Sequence, residues 1–354
     1  MPSLAIHRLP MAHPGDVSAL TALIDRGAVA AGDIRAVIGK TEGNGGLNDF
    51  TRGFFTQTLM LLLARETGQD LAALAARIPC VLSGGTEGAL SPHFLLFAVD
   101  RAAGGARGLA LGTAFSPPTP AEQIGRDSQI EAVAQAVRDA MADAGIARAA
   151  DVALVQVKAP CAQAPGPGAR AGDPRLLMAL SRAAAAFGVG RALGDIPEGG
   201  EDALLRDRHL FSNRVSISSG IEVVANEVVV FGQADGWAPG LTAGVAPMAD
   251  LLDLPGVCAA FRAAGLEAAP AVPAAQRGRV LGVIAKGEPD AAGAIRGARH
   301  TMLGDTDLDA QRHLRGALGA IVASVAGDGQ VFVSGGAEHQ GPPGGGLVCV
   351  FARD

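Results

Sequence analysis

Short apolar runs recur along the chain, and their length and their Val and Ile content predict buried strands rather than helices. Three of these runs end in lysine, at 36–40, 154–158 and 282–286. Three others end in serine followed by glycine, at 81–85, 216–220 and 331–336. Polar residues at the ends of apolar strands are candidates for a shared site, because strand ends and the junctions between repeats commonly present polar groups to a ligand.

The two kinds of run alternate along the chain and belong to a larger repeating unit. Their polar ends follow the order Lys40, Ser83, Lys158, Ser219, Lys286, Ser334. A helical stretch lies between each lysine and its serine, beginning at 51, 174 and 309. One further apolar strand containing phenylalanine follows each serine, at 95–99, 228–232 and 347–351. The unit is therefore strand–Lys, helix, strand–Ser-Gly, strand, and it occurs three times.

This repeat predicts an α/β fold of three pseudo-equivalent units around a pseudo-threefold axis, with a central active site. We expect unit A at 1–103, unit B at 108–245 and unit C at 251–354. Each unit has roughly the size of one small domain. The Pro- and Gly-rich segment 161–174 is an expected surface insertion in unit B.

Composition restricts the classes of partner. Hydrophobic residues make up 49% of the 354 residues and charged residues 18%, which excludes a disordered chain. The net charge of −6 has no basic block, so neither nucleic acid nor an anionic membrane is expected as the main partner. Four cysteines lie far apart without a C-x-x-C pair, which fits neither a disulfide framework nor a zinc ribbon. Without an apolar N-terminal segment, we expect a cytoplasmic protein.

Serine and lysine at paired strand ends indicate a specific chemistry. A serine hydroxyl becomes a strong nucleophile when a base takes its proton, and lysine is such a base only if its pKa is lowered. Burial and neighbouring cations both lower a lysine pKa. The glycine after each serine lets backbone N–H groups approach a carbonyl oxygen. A pocket with threefold repetition suits a small ring with repeated carbonyl and N–H groups, so the residues predict a Ser–Lys hydrolase acting on a cyclic amide.

Five longer segments resemble the cyanuric acid hydrolase/barbiturase family across the whole chain. They are GKTEGNGGLNDFTR at 39–52, LSGGTEGALSPH at 82–93, SSGIE at 218–222, AKGEPDAAGAIRGARHTMLGDTD at 285–307 and SGGAEHQGPPGGG at 334–346. The resemblance implies a ring-opening amidohydrolase, typically a homotetramer, in which each unit supplies one Lys, one Ser and one Arg. Members open cyanuric acid to carboxybiuret, which loses carbon dioxide to give biuret, or open barbituric acid to ureidomalonate.

The resemblance also implies roles for individual residues. The nucleophile matches Ser219 and the general base matches Lys158, with Ser218 as the neighbour that could exchange roles with Ser219. An alignment of SISSG with CVLSG and VFVSG favours Ser219. The implied substrate-binding residues are Lys40, Arg52, Ser83, Gly84, Arg191, Ser218, Lys286, Arg315, Ser334 and Gly335. For units B and C, Arg182 and Arg312 are the nearest alternatives to Arg191 and Arg315.

The family resemblance further implies a structural divalent cation, Mg²⁺ or Ca²⁺, and no organic cofactor. Its expected ligands are oxygens, which such hard cations prefer. They are Glu288 together with the segment that contains Ala337, Gln340, Gly341, Pro342 and Gly345. This cation would brace the loop after Ser334.

The sequence leaves three functions open. Hydrolysis of cyanuric acid is the first expectation and hydrolysis of barbituric acid the alternative. A non-catalytic small-molecule binding protein is the third, since clefts between repeats also hold metabolites. In each case the expected partner is a small cyclic imide, without nucleic acid or membrane.

Overall fold

The structure is a computed structural model that describes residues 2–100 and 106–354. The expected end of unit A at 103 therefore lies outside the described residues. Unit A contains β1 (Ser3–Pro10), α1 (Ser18–Asp25), β2 (Ile34–Thr41), α2 (Thr51–Thr67), α3 (Leu71–Ala75), β3 (Cys80–Gly84) and β4 (His93–Asp100). Unit B contains β5 (Arg107–Pro118), α4 (Asp127–Ala144), β6 (Val152–Pro160), α5 (Pro174–Leu193), β7 (Val215–Gly220) and β8 (Ala225–Asp235).

Unit C completes the chain with the same succession of elements and one added ribbon. It contains β9 (Leu241–Met248), α6 (Leu254–Ala263), β10 (Val280–Gly287), β11 (Ala294–Ile295), β12 (Ala298–Arg299), α7 (Ala310–Ala326), β13 (Phe332–Gly335) and β14 (Gly346–Arg353). The short strands β11 and β12 pair with each other only. In every unit a first strand and a first helix precede the lysine strand, so the repeat is longer than the sequence pattern predicts.

Each unit folds into a four-stranded sheet with one common topology. The strand orders are β1-β4-β2-β3, β5-β8-β6-β7 and β9-β14-β10-β13. In each sheet the lysine strand runs parallel to the serine strand and antiparallel to the last strand. Parallel neighbours need a crossover, and α2, α5 and α7 supply it. The predicted α/β fold of three pseudo-equivalent units is confirmed.

The predicted boundary between units B and C is wrong. Strand β9 pairs with β14 from Leu241↔Arg353 to Met248↔Gly346, so residues 241–245 belong to the sheet of unit C. The chain turns between the units at 236–240, where Gly236 and Gly240 both adopt positive φ. Glycine accepts this conformation without steric cost.

Helix α5 shows how local sequence positions a functional element. The Asp173 side chain accepts a hydrogen bond from the Arg175 amide, Pro174 occupies the first turn, and Gly194 ends the helix with φ 78°. These are the usual start and stop signals of a helix. The helix is long and apolar enough to cross a membrane by composition, but most of it is buried within the protein. It is a core helix, and the segment 161–173 before it is a loop, as expected for the insertion.

Three phenylalanines mark the pseudo-threefold axis. Phe97, Phe231 and Phe351 contact one another with ring centroids 4.9, 5.6 and 4.8 Å apart. They occupy equivalent positions on β4, β8 and β14, so their mutual contact requires the three sheets to face a common axis. All three rings are fully buried. They form the base of the central core, and the lysine ends of β2, β6 and β10 lie further along the same sheet faces.

Removing one ring of this triad is expected to destabilise the whole fold. Truncation of a buried phenylalanine to alanine typically costs about 3–5 kcal/mol, because a cavity replaces the ring. We expect Phe231→Ala to lower the free energy of unfolding by this amount in urea denaturation. Phe50→Ala is the matched control, since the Phe50 side chain is 68% exposed. A smaller loss for Phe231→Ala than for Phe50→Ala would contradict a common core on the axis.

Candidate active site

The strand register places each lysine beside one serine. Lys40 pairs with Ser83, Lys158 with Ser218, and Lys286 with Ser334 on adjacent parallel strands. Residues paired in this way project from the same face of a sheet. All three lysines are completely buried. The strand ends of three sheets thus deliver three Lys–Ser pairs to one end of the axis.

This register corrects the serine assignment in unit B. The counterpart of Ser83 and Ser334 is Ser218, and Ser219 pairs with Ala159 instead. The alignment that favoured Ser219 was wrong because it matched each serine by the glycine that follows it. A glutamate spaced four residues after the serine gives the correct match, at Glu87, Glu222 and Glu338. Ser219 therefore occupies the position that is glycine in units A and C.

The neighbours of this position explain the exchange of glycine for serine. A Cβ atom at Gly84 would lie 1.6 Å from an Asp49 carboxylate oxygen, and one at Gly335 would lie 2.4 Å from the Gln311 amide oxygen. In unit B the corresponding neighbour is Met178, whose backbone carbonyl accepts a 3.1 Å hydrogen bond from Ser219 Oγ. Only unit B therefore has room for a side chain directly after the paired serine.

The serines line a cleft at the axis together with three arginines. Ser83, Ser218, Ser219 and Ser334 contribute hydroxyls, and Arg52, Arg182 and Arg315 contribute guanidinium groups. Ser218 Oγ lies 3.4 Å from Ser334 Oγ, so the paired serines of units B and C are within hydrogen-bond distance of each other. Gly335 also lines the cleft. Four hydroxyls and three cations around a common point can bind a small ring with several carbonyl groups.

The structure places the predicted arginines of units A and C in the cleft and the predicted arginine of unit B outside it. Arg52 and Arg315 line the cleft, whereas Arg191 pairs with Glu131 and donates a 2.8 Å hydrogen bond to the Gly199 carbonyl. Nine residues separate Arg182 from Arg191 on α5, about 13 Å along the helix axis, so one cleft cannot hold both. Arg182 is the arginine that unit B supplies. Arg312, the alternative to Arg315, is partly exposed and bonds Glu87.

A ring of ion pairs between units holds the three arginines. Arg52 of unit A lies 2.7 Å from Glu222 of unit B. Arg182 of unit B lies 2.6 Å from Glu338 of unit C. Arg315 of unit C lies 2.5 Å from Glu87 of unit A, which closes the ring. These glutamates were not predicted as site residues, although their constant spacing from the paired serines was the available signal.

The three lysines have different partners. Lys40 Nζ donates to Ser83 Oγ at 3.2 Å and to the Gly84 carbonyl at 2.9 Å. Lys286 Nζ does the same with Ser334 Oγ at 3.0 Å and the Gly335 carbonyl at 2.8 Å. Lys158 Nζ instead donates to the Leu82 carbonyl of unit A at 2.8 Å and lies 2.5 Å from Glu222 Oε1. Lys158 is thus the lysine that contacts a carboxylate directly.

These surroundings lower the pKa values of the three lysines, which favours their action as bases. Burial lowers the pKa of Lys158 to about 8, although Glu222 opposes the shift. Burial also lowers the pKa of Lys40 and of Lys286 well below the ordinary lysine value, with Arg315 and Arg182 adding repulsion respectively. Lys158 can therefore exchange a proton near neutral pH, which a general base requires.

The expected cation ligands lie together at the loop after Ser334, with Glu288 next to that loop. The Glu288 amide donates to the Gly345 carbonyl at 3.1 Å, and Arg208 lies 3.2 Å from the Glu288 carboxylate. Burial raises the pKa of Glu288 to about 7, and the nearby Glu338 adds to the rise. Within residues 2–100 and 106–354, no three His, Cys, Asp or Glu side chains group as a metal site. One carboxylate with backbone carbonyls suits a hard cation, so these residues fit the expected group.

The other predicted ligands share this loop. The carbonyls of Ala337 and Pro342 accept backbone hydrogen bonds from Gln340 and Gly345, and the Gly341 amide donates to Ser212. The Gln340 side chain is engaged elsewhere, because its oxygen accepts a 2.6 Å hydrogen bond from the Ile217 amide. That bond ties the loop of unit C to the strand that carries Ser218.

Known proteins match this chain over its full length. A family model described as "amidohydrolase ring-opening protein" matches residues 5–353. The chain belongs to the ring-opening amidohydrolase family. A cyanuric acid amidohydrolase of Azorhizobium caulinodans is 45% identical over 99% of both chains. Another, of Ectopseudomonas oleovorans, is 43% identical over 98% of this chain and 99% of the relative.

Solved structures agree with this assignment. A cyanuric acid hydrolase described as an innovation by structural concatenation superposes with a TM-score of 0.95 at 39% identity, covering 100% of both chains. The crystal structure of the A. caulinodans cyanuric acid hydrolase gives a TM-score of 0.91 at 44% identity, covering 100% of this chain and 99% of that one. The present chain is therefore an enzyme, a ring-opening amidohydrolase acting on cyclic amides.

The arginine correction makes a direct prediction for this amidohydrolase. We expect Arg182→Ala to lower kcat/KM for a cyclic amide by at least about 100-fold, because a charged donor to the substrate is lost in a buried cleft. Arg191→Ala is the control on the same helix and is expected to stay within about twofold of wild type, because its ion pair lies at the surface. Steady-state kinetics and thermal unfolding check both variants. Equal losses for the two would contradict the assignment.

Proposed function

We propose that the enzyme hydrolyses cyanuric acid by ring opening to carboxybiuret, which then loses carbon dioxide to give biuret. The main support is the threefold repetition of paired serines and arginines around one cleft. Cyanuric acid repeats one carbonyl and one N–H group three times around its ring, so each unit can bind one such edge. The names of the relatives support the same substrate.

In the proposed reaction, Ser218 is the nucleophile and Lys158 the general base. Neutral Lys158 Nζ takes the proton from Ser218 Oγ, and the oxygen attacks a ring carbonyl carbon. The resulting tetrahedral intermediate collapses, the ring C–N bond breaks, and the Lys158 proton passes to the departing nitrogen. Water, activated by Lys158, then attacks the carbonyl of the Ser218 ester and releases the carboxylated product. Each proton removed is returned, so the enzyme is regenerated.

The choice of Ser218 over Ser219 as the nucleophile rests on the strand register and on the hydrogen bonds that Ser219 already makes. Ser218 is the residue paired with Lys158 on the neighbouring strand. Ser219 Oγ is already bonded to the Met178 carbonyl and accepts a 3.2 Å hydrogen bond from Arg182. We therefore assign Ser219 to the positioning of Arg182 and to substrate contact.

The remaining residues bind and polarise the ring. Arg52, Arg182 and Arg315 face the cleft with guanidinium groups that suit carbonyl oxygens and developing negative charge. Ser83 with Lys40, and Ser334 with Lys286, form the two clamps in units A and C, each next to a glycine, Gly84 or Gly335. The charge that develops on the attacked oxygen is stabilised by donors that burial and ion pairing hold in place before reaction.

Three further features complete the proposal. A divalent cation, Mg²⁺ or Ca²⁺, would be held by Glu288 and the carbonyls of the 337–345 segment and would brace the loop that follows Ser334. A homotetramer is supported by exposed apolar side chains on α2, which are Phe54 and Leu61. The cytoplasmic location stays a prediction.

The substrate assignment is tested by incubating the purified protein separately with cyanuric and barbituric acid. We expect loss of cyanuric acid absorbance with formation of biuret and carbon dioxide. Product identification by mass spectrometry distinguishes this from ureidomalonate, the product of barbiturate opening. Turnover of barbituric acid alone would replace the substrate and keep the site. Binding of both rings without turnover of either would overturn the catalytic proposal.

The nucleophile assignment is tested by Ser218→Ala and Ser219→Ala. We expect Ser218→Ala to reduce kcat by at least about 10⁴-fold, since removal of a nucleophile leaves only binding and oxyanion stabilisation. Ser219→Ala is expected to retain turnover with a raised KM, because Arg182 loses one contact. The reverse ranking of the two kcat values would restore Ser219 as the nucleophile. Substrate analogue binding by calorimetry shows that each cleft is intact.

A further inference from the structure

The residue opposite Lys158 in the sheet differs in kind from the residues opposite the lysines of the other two units. The residue across the antiparallel strand pair is Glu227 for Lys158, His93 for Lys40 and Leu347 for Lys286. Directly opposite residues on one sheet face have Cβ atoms about 4.5–5.5 Å apart, which allows long side chains to interact. Unit B therefore adds a carboxyl group beside its lysine where the others have an imidazole or an aliphatic chain.

The Glu227 carboxyl is held in a defined place. Its Oε2 accepts a 2.8 Å hydrogen bond from the Cys80 amide of unit A, across the junction between the units. On the other side of its strand, Glu227 pairs with Phe115 of β5. The ionisable groups near it are Lys158, Glu222 and the Cys80 thiol, with Arg52 beyond Glu222. Lys158 is the cation closest in the sheet register.

Two residues before the lysine, on the same face of the sheet, the strand pair is polar in unit B and apolar in units A and C. Gln156 pairs with Ser216 there, whereas the equivalent pairs are Ile38 with Val81 and Ile284 with Phe332. Gln156 and Ser216 are fully buried. Neither amide atom of Gln156 nor the Ser216 hydroxyl has a hydrogen-bond partner in the described protein. Buried polar groups are costly in a core, so this polar layer sets unit B apart from the apolar layers of units A and C.

The buried charges around Lys158 couple its proton to that of Glu227. Arg52 and Lys158 share the Glu222 carboxylate, at 2.7 and 2.5 Å from its Oε1 atom, and Arg52 also lies 3.5 Å from the buried Asp49 carboxylate. The two carboxylates balance Arg52 and a protonated Lys158, so Glu227 is neutral in the same state. When one proton leaves, the other is held either by Lys158 or by Glu227, and in the second case Lys158 is free to act as a base.

We propose that Glu227 is a positioning residue whose protonation is coupled to that of Lys158 and so sets the pH at which this lysine becomes a base. This inference rests on the proposed role of Lys158. Burial raises the pKa of Glu227 to about 8 and lowers the pKa of Lys158 to about 8, so the two groups titrate in the same range. Interacting groups of this kind lose their protons as a coupled pair.

The first test compares kcat/KM against pH for wild type, Glu227→Gln and Glu227→Asp. Glutamine keeps an acceptor for the Cys80 amide but carries no negative charge. Loss of that charge lowers the lysine pKa, so the acid limb should move to lower pH by about one unit. The acid limb of this variant should also fit a single ionisation, instead of the two coupled ionisations of wild type. Aspartate retains the charge and should keep the broad wild-type limb.

His93→Gln is the matched control, because it changes the residue opposite Lys40. Burial lowers the pKa of His93 to about 4, so this change removes no charge near neutral pH and should leave the acid limb in place. An unchanged limb in Glu227→Gln, or an equal shift in His93→Gln, would overturn the proposal. If Glu227→Gln fails to fold, a wild-type limb that fits one ionisation would overturn it.

A second test needs no turnover and so separates this inference from the proposed function. Infrared difference spectra report the carbonyl band of a protonated carboxyl group. We expect a band that disappears between about pH 7 and 9 in wild type. The Glu227→Gln variant should keep only the part of this band that Glu288 contributes, because burial also raises the pKa of Glu288 to about 7. Because coupling is reciprocal, Lys158→Met should move the loss of this band to higher pH. No movement in Lys158→Met would exclude coupling, whether or not cyanuric acid is the substrate.

Discussion

The burial of three lysines around one axis is the constraint on which the rest of the structure depends. Each ammonium group is removed from water at the end of a strand, and burying an unpaired charge is costly. The fold meets this demand with oxygens from across the unit junctions, such as the Leu82 carbonyl for Lys158 and the Ile217 carbonyl for Lys286. The ring of Arg–Glu pairs then adds equal numbers of both charges. Because every arginine pairs with a glutamate of a different unit, the cleft forms only when all three units are together.

Unit B departs from the other two units within a pseudo-symmetric site. In units A and C the lysine donates to its own serine and to the glycine carbonyl that follows, which holds the serine hydroxyl in place. In unit B the lysine contacts Glu222 and the Leu82 carbonyl instead. Under the proposed mechanism, units A and C then bind the ring, and the different contacts of Lys158 mark unit B as the unit that carries out proton transfer.

The repeat, the crossover helices and the convergence of lysines and serines could be predicted from sequence, because strand ends in a parallel pair meet at one sheet edge. The choice between Ser218 and Ser219 depended on register, and a slip of one residue exchanges which side chain faces the axis. Arg182 and Arg191 both lie on α5, and only the packing of this helix shows that Arg182 is the arginine that reaches the cleft. The first strand of each unit was missed because a pattern anchored on lysine and serine contains no signal for it.

A single chain with three units allows what a symmetric trimer cannot. In a trimer of identical subunits, each substitution occurs three times around the axis, so a carboxyl such as Glu227 would accompany every lysine. Three added carboxyl groups in one buried site would repel one another and favour protonated lysines, which cannot act as bases. Joining the units in one chain lets Glu227, Gln156 and Ser219 appear once. Under the proposed mechanism, two units then keep the cationic binding surface, and the third supplies the proton transfer that ring opening needs.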